Sequence, residues 1–156
     1  GAFGVNASGG FGNHSLNSEK VEGLFMKIIR REIPAHVIAE NEHALAFLDL
    51  FPLAFGHVLV IPKIEVNAIY EVPEPYYSAV WALVRQLAPA IQSAFPCRKV
   101  GMAVIGLEVP HAHVHLVPMN EVGELSFARP KLRPLPEELQ EHAARIRGFL
   151  SADTIV

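Results

Sequence analysis

The run His111-Ala112-His113-Val114-His115-Leu116-Val117 constrains this chain more than any other, because imidazoles alternate with apolar side chains at a period of two. On a β-strand, residues two apart share a face at a spacing of roughly 6.6 Å. A strand over His111–Val117 would therefore line one surface with three imidazoles and send Ala112, Val114 and Leu116 into a core. Pro110 and Pro118 flank the run, and residues without a ladder donor belong at strand ends. The run holds three of the eight histidines in the chain.

Half-exposed strand histidines without a role are a poor account of this row, since His is neither common nor strongly β-prone. Two chemistries fit better. Imidazoles at i and i+2 can share a divalent ion, for instance His111 and His113, if a carboxylate or another histidine completes the set, with His57, Glu65 and Glu108 as candidates. Alternatively, a neutral imidazole with a reference pKa near ~6.5 offers a lone pair for nucleophilic attack while a hydrogen bond fixes its other nitrogen. Flanking histidines would then hold phosphate oxygens. From these residues alone both readings stand.

Around this row the chain reads as one α+β domain over residues 21–156, preceded by a tail over residues 1–20. The tail is rich in Gly, Asn and Ser and has neither the basic start nor the apolar run of a secretory signal. It fits a vector-derived leader, an arm that packs on a partner, or disordered chain. The spacing of Leu24, Phe25, Ile28 and Ile29 predicts a short helix over Val21–Arg31, ended by Pro34. His36–Glu40 and Ala44–Asp49 read as a hairpin, and the HVLVI run from His57 to Ile61 reads as a buried strand closed by Pro62. Tyr76, Val80, Leu83, Val84, Leu87 and Ile91 recur at helical spacing in a main helix that Pro89 should kink or end early. Val100–Ile105 precedes the histidine run as a further strand, and residues 136–150 read as a C-terminal helix with acids at its start and arginines at its end. Hairpin-length connections among five strands favour an antiparallel sheet over a βαβ fold.

Composition narrows the function classes. With 156 residues, 51% hydrophobic and 19% charged, the chain is too apolar for a disordered protein. No apolar run reaches the ~18 residues of a membrane span. A net charge of −3 supplies no basic field for a nucleic acid. The single cysteine, Cys97, rules out an internal disulfide framework. Neither G-x-G-x-x-G nor a Walker-type loop occurs, so neither common phosphate cradle is present.

Two blocks point to a family. The run HAHVHLV resembles the His-φ-His-φ-His-φ-φ signature of the histidine-triad (HIT) superfamily, nucleotide hydrolases and transferases acting at an α-phosphate. The stretch LFMKIIRREIPAHVIAENEHALAFLDLFPLAFGHVLVIPK, from Leu24 to Lys63, is similar to the family's N-terminal half, including its I-P-A, F-x-D, G-H and V-I-P-K elements. The resemblance implies an antiparallel five-stranded HIT-like sheet with a main helix and a C-terminal helix. It implies that His113 is the nucleophile of a nucleotidyl-histidine intermediate, with His111, His115 and His57 orienting groups and stabilising charge. It further implies that Asp49 accepts the ribose hydroxyls and that Leu24, Phe25, Ile28, Phe47 and Leu50 wall the base.

Departures from the pattern bear on the leaving group. Leu107 and Glu108 stand in GLEVPH where the family often carries Gln and then Ser or Thr, so an anion replaces a donor beside the phosphate, and we count Glu108 among the nucleotide-binding candidates. Glu65 stands where many members have a histidine, and VGMAVIG lacks the usual amide. The expected protein is a cytoplasmic homodimer that needs no cofactor and no metal, acts on a nucleotide conjugate such as a phosphoramidate or dinucleoside polyphosphate, and engages neither nucleic acid nor membrane. The alternatives are a metal-binding protein using the histidine row, and a nucleotide sensor or scaffold with weak turnover.

Overall fold

The computed structural model describes residues 23–151. The tail over residues 1–20, and Val21 at the start of the expected first helix, lie outside the described residues. Helix α1 (Leu24–Ile29) is followed by strands β1 (Val37–Glu40), β2 (Ala44–Leu48) and β3 (Val58–Pro62), then by helix α2 (Tyr76–Ala94). Strands β4 (Lys99–Ala103) and β5 (Val114–Met119) and helix α3 (Pro136–Arg147) follow. The five strands form one sheet in the order β1-β2-β3-β5-β4, and every pairing is antiparallel. Among the described residues no helix is long and apolar enough to cross a membrane.

Strands β2 and β3 are buried along their whole length, which explains why HVLVI reads as a continuous apolar run, whereas the edge strand β4 is exposed or half-buried throughout. Alternation sorts the sheet's side chains. Ala46, Leu48, Val58, Val60, Val114 and Leu116 face α2, where Val80, Leu83, Leu87 and Ile91 meet them, and α3 adds Leu139, Ala143 and Ile146. On the opposite face Leu45, Phe47, Leu59 and Ile61 pack against Phe25 and Ile28 of α1 and against Val109. The main core therefore anchors the sheet, and the smaller one carries α1 up to the histidines.

Two expectations need correction. The strand predicted over His111–Val117 is displaced toward the C-terminus, and His111 and His113 precede β5 in irregular backbone. The cause is the neighbour: β3 pairs with β5 only from Val58 to Val60, because Pro62 has no N–H to give and its carbonyl accepts the His111 ring at 3.0 Å. Pro118, expected at a strand end, is the penultimate residue of β5, opposite Val100 of β4 and beyond the last residue of β3 that pairs. Pro89 does not end α2, which runs on to Ala94. Its ring is exposed, and the buried Ala90, Ile91 and Ala94 hold the last turns on the core.

Candidate active site

Four histidines converge where the end of β3, the start of β5 and α1 meet, and all are buried: His57 1%, His111 3%, His113 2% and His115 2% exposed. Their hydrogen bonds assign every ring proton. The backbone N–H of Leu53 donates to His57 Nδ1 at 3.0 Å, so that nitrogen is an acceptor and the proton sits on Nε2. His57 Nε2 lies 2.9 Å from His115 Nδ1 and donates to it, which puts the His115 proton on Nε2. His113 Nδ1 is 2.7 Å from the carbonyl oxygen of His111 and must donate, leaving Nε2 with a bare lone pair. His111 Nε2 donates to the Pro62 carbonyl, and its Nδ1 has no partner.

The rings hold one another in place by edge contacts. Phe25 packs edge-on against His111 at 5.5 Å, His113 at 5.4 Å and Phe47 at 5.5 Å between centroids. His113 and His115 are 4.7 Å apart. His57 reaches the site from the turn before β3, where Gly56 has φ 93° and a Cβ would stand 2.7 Å from Phe95 Cδ2, so only glycine fits.

Burial sets the charge states. It depresses His57 to about 3, His111 to about 4 and His115 to about 2, and it lowers His113 below its ordinary value. Asp49, 2% exposed, is pushed up to about 7 by the same desolvation. Its Oδ1 accepts the Phe51 N–H at 2.9 Å, and its Oδ2 lies 3.7 Å from His57 Nε2. At that distance an ion pair is geometrically possible, but desolvation outweighs the attraction and His57 stays neutral.

A cavity of about 190 Å³ opens beside His113 and His115, walled by Ile105, Leu107, Val109 and Phe127 with Glu108 as the one carboxylate among the described residues that line it. The residues expected to bind a nucleotide divide among three places. Phe25, Ile28 and Phe47 join the smaller core with Leu24 at its margin, Leu50 packs against the main core, and Glu108 is exposed at the cavity.

The expected metal set of His111, His113 and a carboxylate is not what comes together. Among the described residues Asp49, His57 and His115 place ligand atoms within 4.8 Å of one another. That trio is a poor donor set, because the Leu53 N–H occupies His57 Nδ1 and forces a proton onto the nitrogen that would ligate.

Sequence reasoning missed Phe127 and Lys131. The Phe127 ring lies 4.6 Å from His115 and 6.4 Å from His57, and the charge of Lys131 acts on Asp49, His57 and His115. Their signal was the long irregular link over residues 120–134, a length at which loops in compact domains are usually functional.

Comparison with known proteins gives a consistent result. The HIT domain model matches residues 30–122. Adenosine 5'-monophosphoramidase HNT1 of Saccharomyces cerevisiae is 31% identical over 99 residues, covering 63% of this chain and 63% of that protein. Adenylylsulfatase HINT3 of Arabidopsis thaliana is 29% identical over 147 residues, covering 90% of this chain and 74% of that protein. The crystal structure of a HIT-like protein from Bartonella henselae superposes with a TM-score of 0.71 at 29% identity, covering 80% of this chain and 93% of that one.

Proposed function

The chain belongs to the HIT domain family, and on that premise we propose that it hydrolyses or transfers a nucleoside monophosphate group through a nucleotidyl intermediate on His113. The observation that carries this reading is the 2.7 Å bond from His113 Nδ1 to the His111 carbonyl, which leaves Nε2 as a lone pair beside the cavity. Burial strengthens it, since a histidine with a lowered pKa keeps that lone pair at neutral pH and somewhat below. Relatives named as a phosphoramidase and an adenylylsulfatase both act on a nucleotide, which supports the substrate class.

The chemistry balances in two displacements. The Nε2 lone pair forms a bond to the α-phosphorus while the bond to the leaving group breaks, its electron pair departing with that group. Water then attacks phosphorus, the N–P pair returns to Nε2, and one water proton is released. Splitting the reaction lets one buried base serve both halves. His115 stands beside the phosphorus as a neutral ring with its proton on Nε2, His111 orients His113 through its backbone carbonyl, and His57 holds His115 in its tautomer by the 2.9 Å bond.

The direct test is mass spectrometry of protein quenched during turnover. A mass increase of one nucleotidyl group on the peptide carrying His113 is expected, and turnover with no adduct on any histidine would overturn the reading.

In the same proposal Asp49 Oδ2 meets the ribose hydroxyls, Oδ1 being taken by Phe51, and the enclosing surface must part for the ribose to enter. An ionised carboxylate accepts from both hydroxyls, and Asp49 titrates at about 7. AMP affinity is expected to weaken as pH falls through that value. Asp49→Asn should bind AMP about tenfold more weakly at pH 8 and lose the pH dependence, as calorimetric titration would show.

A further inference from the structure

Because burial holds the site's imidazoles neutral, charge building on a phosphoryl group meets the Nε2–H of His115 there but no cationic histidine. A cation arrives on the segment after β5. The N–H of Leu132 donates to the Pro52 carbonyl at 2.9 Å, and the Arg133 guanidinium lies 5.9 Å over the Phe51 ring, so the segment is tied back to the rim. That return lays Phe127 over His115 and makes it a wall of the cavity. Lys131 Nζ donates to the Phe127 carbonyl at 3.5 Å, which places the ammonium at the backbone of the residue that roofs His115. Among the described residues it is the only lysine or arginine whose charge acts on Asp49, His57, His115 and Glu108.

We propose that Lys131, held at the Phe127 carbonyl by this returning loop, is a specificity-determining residue that selects nucleotide conjugates whose leaving group is itself an oxyanion, a phosphate, polyphosphate or sulfate, over those that release an amine. This rests on the reaction at His113 proposed above. The cavity contains none of Asp49, Phe25 or Phe47, which belong to the nucleoside side of that reading, so it is the space left for the departing group.

Proton supply separates the two classes. When the bond from phosphorus to a bridging oxygen breaks, the electron pair stays on that oxygen as a weakly basic anion that needs a cation and no proton. An amine must leave protonated, and the described lining of this cavity offers it only the weakly acidic Nε2–H of the neutral His115 ring and the carboxylate of Glu108, which when ionised has no proton to give. Lys131 supplies positive charge, and Glu108, on whose carboxylate that charge also acts, partly offsets it.

The test compares kcat/KM for adenosine 5'-phosphosulfate and adenosine 5'-phosphoramidate, which share the adenylyl group and release sulfate or ammonia. Lys131→Met is expected to lose about tenfold on the phosphosulfate, and about fivefold more than on the phosphoramidate, with Lys131→Arg restoring most of the loss. Glu108→Gln is expected to move the ratio the opposite way, further toward the phosphosulfate. Equal losses on both substrates, or no loss, would overturn the assignment of Lys131 while the His113 adduct still forms. If the unsubstituted protein turns over neither substrate and forms no adduct, the reaction itself fails and Lys131 falls with it.

Discussion

Replacing His113 with alanine is expected to lower kcat by on the order of 10⁴-fold or more, with AMP affinity held within about tenfold, or ~1.4 kcal/mol. The two quantities separate because the ring does different things in them. Its Nε2 lone pair makes the bond to phosphorus, a contribution present only in the transition state, whereas the bound nucleotide in the ground state is held mainly by other groups. Loss of the ring also leaves a gap beside Phe25 and His115, whose centroids lie 5.4 and 4.7 Å away, so some stability is lost as well. Calorimetric titration with AMP settles the matter, since a variant that binds AMP is folded. If alanine unfolds the chain, His113→Asn fills more of the gap and serves the same test. Activity in either folded variant comparable to the unsubstituted protein would remove His113 from the chemistry.

Acidification is expected to destabilise this protein steeply from about pH 6.5 downward, well above the range where ordinary carboxylates protonate. The four site histidines have folded pKa values below their unfolded value of 6.5, with His111 at about 4, His57 at about 3 and His115 at about 2. Their stabilising contribution is complete above pH 6.5. Below it the unfolded chain binds protons that the native state refuses, and stability falls until each folded pKa is reached. Each group costs up to ~1.4 kcal/mol per pH unit, so three acting together approach ~4 kcal/mol per unit, against a total stability of roughly 5–15 kcal/mol for a domain. Asp49 works in the opposite direction, since its pKa is raised from 3.8 to about 7 and its burial penalty is relieved as pH falls through that value. One carboxyl does not offset several imidazoles. Urea unfolding at pH 7.5 and pH 5.5 should show a loss of several kcal/mol, and His115→Asn should flatten the dependence. Equal stability at the two pH values would show that the rings take up protons in the folded state.

Much of the fold was legible because its signals are local. Tyr76 to Ala94 repeats its apolar residues at helical spacing, and that stripe is the face that packs on the sheet. The HVLVI run announced a strand buried on both faces, and β3 lies between α1 and α2 as such a strand must. The ends of elements were less legible. Whether His111 belongs to β5 depends on Pro62, 49 residues away, whose missing donor and occupied carbonyl stop the ladder. Whether Pro89 ends a helix depends on how much apolar surface its last turns bury, which no local spacing states.

The candidate site divides along the same line. The alternation of His111, His113 and His115 with Ala112, Val114 and Leu116, together with the Leu24–Lys63 block, was enough to establish the family and to nominate the reacting residues, because type and spacing are properties of contiguous chain. Nothing in those letters says which ring nitrogen carries a proton. That was settled by the fold: the His57 Nε2–H at His115 and the Pro62 carbonyl at His111 come from remote segments, and the Leu53 N–H meets His57 across the tight turn that joins those two residues. The same holds for Phe127 and Lys131, which lie in a stretch without periodicity and matter through where the chain returns. Residue identity is written one position at a time, whereas a hydrogen-bond partner or a neighbouring charge exists only once distant positions have been brought within a few ångströms.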